Sequence, residues 1–171
     1  MKHGIQSAPV DVYHVASALG AQIHDDAAAA SLSGFLVRDV NSRRTLIGVN
    51  GSHPPARKRF TIAHEIGHLL LHEGDALHVD RRDGVDLGLR VKLRNSESSL
   101  GTDDEEKEAN LFAAELLMPP SLLEADLSRM KADAPQAEEE DEEIIGRLAD
   151  RYEVSVQAMT FRLANLGLLD S

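Results

Sequence analysis

His64-Glu65-Ile66-Gly67-His68 brings two imidazoles and a carboxylate into five consecutive residues. On a helix, His64 and His68 stand one turn apart on one face, so both rings can meet a single Zn²⁺ at about 2.0–2.1 Å. Glu65 falls roughly one hundred degrees round the helix, outside the coordination sphere but near a water on the ion, where it can serve as general base. With 8 histidines and 14 glutamates in 171 residues, random placement would yield such a pentapeptide in roughly 3 per cent of chains. The motif alone is therefore suggestive, and its surroundings must decide.

A catalytic zinc usually takes three protein ligands and keeps its fourth position open. The chain has no cysteine, so the third ligand has to be histidine or carboxylate. His72 lies on the same side as His68, but His64 and His72 would be about 12 Å apart along one straight helix, too far for one tetrahedral ion. Its expected role is a helix-ending contact with the last carbonyls. The alternative source is a second helix that reads Glu105-Glu106-Lys107-Glu108-Ala109-Asn110-Leu111-Phe112-Ala113-Ala114-Glu115-Leu116-Leu117-Met118. Its apolar face is Ala109, Phe112, Ala113, Leu116 and Leu117. Glu106 stands at the margin of that face one turn before Asn110, so it can point at the metal while Asn110 orients a zinc-bound imidazole. Glu105 is the rival ligand, and Glu108 projects to solvent. Candidates for stabilising an oxyanion are His72, His78 and Tyr152.

The elements that must position these groups follow from spacing and punctuation. Pro54-Pro55 opens a helix over 56–72 that Gly74 closes, and Thr102 or Asp103 caps the second helix, which Pro119-Pro120 stops after Met118. The first of these is apolar nearly all round, with Ile62, Ile66, Leu69 and Leu70 on one side and Leu71 beside the histidines on the other, so it is expected to be buried. Val12, Val15, Ala16 and Leu19 mark a short N-terminal helix ending at Gly20. Residues 21–24 read as a strand, 25–33 are ambiguous between helix and turn, and 35–40 with 45–49 form a hairpin about Asn41-Ser42-Arg43-Arg44. A further strand is expected over 85–93, and helices over 121–131, 142–151 and 155–166. The fold class is α+β, with a small antiparallel sheet, two long zinc-bearing helices and a C-terminal helical pair. Residues 1–132 form the catalytic unit, 133–143 an acidic linker and 144–171 the C-terminal segment.

A net charge of −11 opposes attraction to phosphate backbones and anionic lipid. The acidity is local: residues 97–150 carry 17 acidic and 4 basic side chains, and the remainder is near neutral. No leader-like or bilayer-spanning apolar run is present, so a cytoplasmic protein is expected. The basic residues Arg43, Arg44, Arg57, Lys58 and Arg59 could draw in an acidic substrate segment, although such a cluster is usually a solvated surface.

The run from Arg57 to His72, with Glu106 to Pro119 downstream, closely resembles the ImmA/IrrE family of metallo-endopeptidases. The resemblance covers about Phe35 to Leu168. It implies a zincin-like fold, Zn²⁺ ligation by His64, His68 and Glu106, and Glu65 as the catalytic acid/base. It also implies a substrate, since members of the family cleave helix-turn-helix repressors of the XRE type and relieve repression in mobile elements, phages or stress responses. The chain ends soon after Leu168, unlike the longer radiation-response members, and no sensory domain is expected.

Residues 148–167 have the look of a helix-turn-helix. Yet the helix over 155–166 carries Arg162 as its only cation, too little to anchor phosphates, and direct DNA binding is not expected. The other class of function open to these residues is a non-catalytic regulator that uses a zinc-stabilised fold and its C-terminal helices to bind a repressor or toxin.

Overall fold

The computed structural model describes residues 7–26, 32–39, 44–72, 77–81, 103–133 and 141–169. The elements run α1 (Val12–Ala18), β1 (Ala21–Asp26), β2 (Leu32–Asp39), β3 (Arg44–Asn50), α2 (Pro55–Leu71), β4 (Leu77–Arg81), α3 (Asp103–Leu117), α4 (Pro120–Asp133), α5 (Asp141–Tyr152) and α6 (Val156–Asn165). The α+β class therefore holds, and helix ends depart from the expected ones by one or two residues. Pro54 and Pro55 start α2 because a proline in the first turn gives up only an amide that has no helical partner. Asp11 and Ser155 cap α1 and α6 by accepting from the His14 and Ala158 amides. Among the described residues no helix is long and apolar enough to cross a membrane.

The sheet is mixed, not antiparallel as expected, with strand order β1-β3-β2-β4. The hairpin expected about residues 41–44 is present, β2 and β3 pairing antiparallel with Leu36 opposite Ile47. That reversal carries β3 back alongside β1, so those two run parallel, Ala21 opposite Thr45 through Asp26 opposite Asn50. Alternation identifies a strand but not the direction of its neighbour. β4 occupies the edge, antiparallel to β2; it was not anticipated, although Leu77-His78-Val79-Asp80 alternates. The strand expected over 85–93 and the turn residues 41–43 lie outside the described residues. Of the ambiguous stretch, Asp25 and Asp26 complete β1, and Leu32 and Ser33 open β2.

One continuous core joins every layer. Leu36, Ile47 and Val49 from the sheet meet Ile62, Ala63 and Ile66 of α2, and the same cluster runs through Ala113 and Leu117 to Leu148, Tyr152, Met159 and Leu163. The C-terminal helices are thus packed into the body of the protein. Leu70 and Leu71, expected inside, are about half exposed, because α2 emerges from the core in its last turn.

Two cations fasten this assembly from within. Arg59 is buried; its Nη2 donates to the Val10 carbonyl at 2.9 Å, and its Nη1 pairs with Glu153 at 3.2 Å. Arg162 is buried too, donating to the Met118 carbonyl at 3.1 Å and to Glu115 at 2.8 Å. Lys58 pairs with Asp25 at 2.8 Å, and Arg57 donates to the Ser33 hydroxyl at 3.1 Å. The three basic residues opening α2 therefore go to separate partners instead of forming one cationic patch.

Two glycines set the spacing of α2 against its neighbours. A Cβ on Gly34 would collide with the Thr61 methyl and stand 3.0 Å from Glu65 Oε1 and 3.2 Å from the Gly48 carbonyl, so only glycine lets β2 lie this close to α2. A Cβ on Gly67 would come within 3.1 Å of Ala109 Cα and 3.2 Å of its carbonyl oxygen. Overpacking of this kind costs about 1–3 kcal/mol. Gly34→Ala is expected to lose that amount in urea unfolding. Gly67→Ala should lose less, since alanine regains about 1 kcal/mol of helix propensity. Unchanged stability for Gly34→Ala would contradict the close approach.

Candidate metal centre and its cleft

His64, Glu65 and His68 lie in the middle of α2, where every residue from Thr61 to His68 is buried. The imidazole faces approach edge to face, with ring centroids 4.6 Å apart. Their Nε2 atoms are 3.0 Å apart. α3 crosses α2 at the Gly67–Ala109 contact, and one turn before it Glu106 reaches over the pair. Glu106 Oε2 lies 3.4 Å from His64 Nε2, and its Oε1 lies 3.4 Å from His68 Nε2.

These separations, 3.0 Å between the two Nε2 atoms and 3.4 Å from each of them to a different Glu106 oxygen, can be compared with an ion's needs. A tetrahedral ion with bonds of about 2.0–2.1 Å has ligand-to-ligand edges of about 3.3 Å. One atom from each of the three residues lies within 4.8 Å of the others, and no other group of three such side chains does so among the described residues. His64 Nδ1 lies 3.1 Å from Asn110 Oδ1. That oxygen can only accept, so the His64 proton sits on Nδ1 and Nε2 turns its lone pair toward His68 and Glu106. The donor set fits a divalent ion such as zinc on this geometry.

Glu65 is wholly buried. Its carboxylate lies where α2 meets β2, against Gly34. The residue is thereby kept out of the cluster of His64, His68 and Glu106 while remaining beside His64 in the chain.

Glu105 does not join the cluster. Its carbonyl oxygen lies 3.1 Å from His72 Nε2. His72 ends α2, with its amide donating to the His68 carbonyl at 3.3 Å, so the backbone makes the helix-ending contact that was expected of the residue. The ring instead ties α2 to the start of α3, with Nδ1 3.8 Å from the exposed Glu108. Tyr152 is buried in the C-terminal core and its hydroxyl donates to Asp126 at 3.0 Å. Burial, then that bond, raises its pKa well above the ordinary value, and the hydroxyl stays a fixed donor to Asp126. Of the candidates for stabilising an oxyanion, His72 and Tyr152 thus have their polar tips on the Glu105 carbonyl and on Asp126. His78 stands in β4 opposite Leu36.

A cleft of about 780 Å³ opens beside the cluster, within the size range of ligand sites. His64, Glu106 and Asn110 form one end; Arg57 and Ser33 stand at the start of α2 and β2; Leu111 and Ala114 of α3 face Ala158, Phe161 and Asn165 of α6. From sequence alone α6 is a candidate DNA reader, a helix packed on the catalytic unit or a docking segment, and none of these places it beside the cluster. The signal that could have placed them here is Phe161, a large apolar residue opposite in character to a phosphate contact.

The family profile of the IrrE N-terminal-like domain, peptidase M78, matches residues 20–164. No curated protein gives a significant match. Glu106→Ala is expected to lower zinc affinity by more than the about 10–100-fold typical of losing an outer-shell partner, with Glu105→Ala retaining the ion. Metal analysis after dialysis decides, and loss of zinc from Glu105→Ala alone would overturn the ligand set.

Proposed function

Because the chain belongs to the IrrE N-terminal-like family of peptidase M78, a metallopeptidase family, we propose that it is a zinc-dependent endopeptidase cleaving a helix-turn-helix repressor of the XRE type, and so relieves repression. The observation that carries this reading is the convergence of His64, His68 and Glu106: the two Nε2 atoms lie 3.0 Å apart and each has a Glu106 carboxylate oxygen at 3.4 Å. Two imidazoles and one carboxylate match the ligand type of hydrolytic zinc sites and leave a position for substrate.

A bound Zn²⁺ supplies Lewis-acid activation of water and of the scissile carbonyl. The chain's own residues do the rest. His64, His68 and Glu106 hold the ion, and Asn110 keeps the His64 ring in the tautomer that presents Nε2. Glu65 takes the proton of the attacking water and returns it to the leaving amine. Its burial shields that proton from bulk solvent.

The repressor as substrate rests on the family resemblance, and the helices of the C-terminal pair support a protein over DNA as the partner. The cation that a recognition helix would place on phosphate is Arg162, and it is buried against Glu115 and Met118. On this reading the chain works in the cytoplasm on a soluble regulator.

Incubating the zinc-loaded chain with an XRE-type repressor from the same genome provides the test. Wild type is expected to cut it, and Glu65→Gln to retain zinc while losing about 10²- to 10⁴-fold in rate. Equal relief of repression by both proteins without any cut would contradict hydrolysis and leave a non-catalytic regulator.

A further inference from the structure

Among the described residues, the two most exposed large apolar side chains are Leu111 at 60% and Phe161 at 63%. Both line the cleft that His64, Glu106 and Asn110 close at one end. Leu111 directly follows Asn110, the partner of the His64 ring. Small residues line the same two walls, Ala114 on α3 and Ala158 on α6, each half buried. An apolar lip with a small-residue floor continuous with a metal cluster is a shape that takes an apolar group from the molecule bound at that cluster.

Resting on the peptidase reading, we propose that α6 is one wall of the substrate site: the cleft between α3 and α6 receives a large aliphatic or aromatic side chain close to the bond to be cut. Leu111 and Phe161 cover the two sides of that side chain, and Ala114 and Ala158 leave room for its end. The wall is held in place from behind. Arg162, the residue after Phe161, reaches back to Glu115 at 2.8 Å and to the Met118 carbonyl at 3.1 Å, so α6 is tied to the helix that carries Glu106 and Asn110. Among the described residues, Leu111, Ala114, Ala158 and Phe161 themselves present no charge to an acidic or basic side chain. Glu106 belongs to the cluster, Arg162 is paired with Glu115, and Arg57 lies toward β2 on Ser33.

The probe is a set of short fluorescein-labelled peptides, identical except at one central position occupied by Phe, Leu, Ala or Asp. Their affinity for the zinc-loaded full chain carrying Glu65→Gln is read by anisotropy, so binding is seen without cleavage. The Phe and Leu peptides are expected to bind about ten- to a hundredfold tighter than those with Ala or Asp, the gain from burying one large apolar side chain. Ala158→Trp, which fills the floor, should abolish the preference. Phe161→Ser, at an exposed position where folding is not at risk, should reduce it at unchanged zinc content and melting temperature. Equal affinity for all four peptides, including no binding by any, overturns the proposal, as does a preference that survives both substitutions. The two readings fail separately: a preference without any cutting of the repressor by wild type would sink the peptidase and leave the pocket, whereas cutting without a preference would do the reverse.

Discussion

The crossing of α2 and α3 is the constraint on which the site depends. Gly67 and Ala109 carry the two smallest side chains available, and their backbones approach closely enough that one added Cβ would stand 3.1 Å from Ala109 Cα. On α2 that contact falls between His64 and His68. On α3 it falls one turn after Glu106 and directly before Asn110. The same close packing therefore brings the carboxylate over both Nε2 atoms and the amide oxygen onto the His64 ring. Buried imidazoles are costly without partners. Here the partners come from the neighbouring helix, at a distance set by two small residues.

Behind this pair the sheet and the C-terminal helices act as supports on opposite sides. β2 presses on α2 through Gly34, where Thr61 and the Glu65 carboxylate lie, and Arg38 donates to the His68 carbonyl at 2.6 Å. Arg59 binds the N-terminal segment and α5 to α2, and Arg162 binds α6 to α3. Asp126 gathers Arg151 and Tyr152, locking α4 to α5. A buried guanidinium is tolerated when carbonyls and a carboxylate satisfy it, and removing one partner leaves a costly unpaired charge. The helical pair is in this way a structural part of the unit that bears the metal ligands, and one of its faces becomes a wall of the cleft.

Much of the site was legible because its chemistry is written within single helices. The spacing of His64 and His68, the capping prolines at 54 and 55, and the apolar stripe of Ala109, Ala113 and Leu117 are local signals, and each holds in the fold. The rival of Glu106 could be set aside only by geometry, since Glu105 also borders the apolar sector and is separated by one residue's rotation. What pattern could not show was relation between elements. Strand direction, the edge position of β4 and the close approaches of Gly34 and Gly67 depend on pairing in space. Tyr152 and Arg162 mislead for the same reason: a polar tip or a cation in the sequence carries no mark of a partner on another helix such as Asp126 or Glu115.

The local acidity of the chain has internal uses in three dimensions. The acidic stretch includes Glu106, which serves the cluster, Glu115, which holds the buried Arg162, Asp126, which pairs with Arg151, and the acids that start α5, where a helix N-terminus favours them. The central claim is that His64, His68 and Glu106 form one metal centre. X-ray absorption at the zinc edge of the loaded full chain tests it most directly. The account predicts one ion per chain with two imidazole nitrogens and carboxylate oxygen at about 2.0–2.2 Å. A substoichiometric ion, or a shell of oxygens without imidazole, would contradict it.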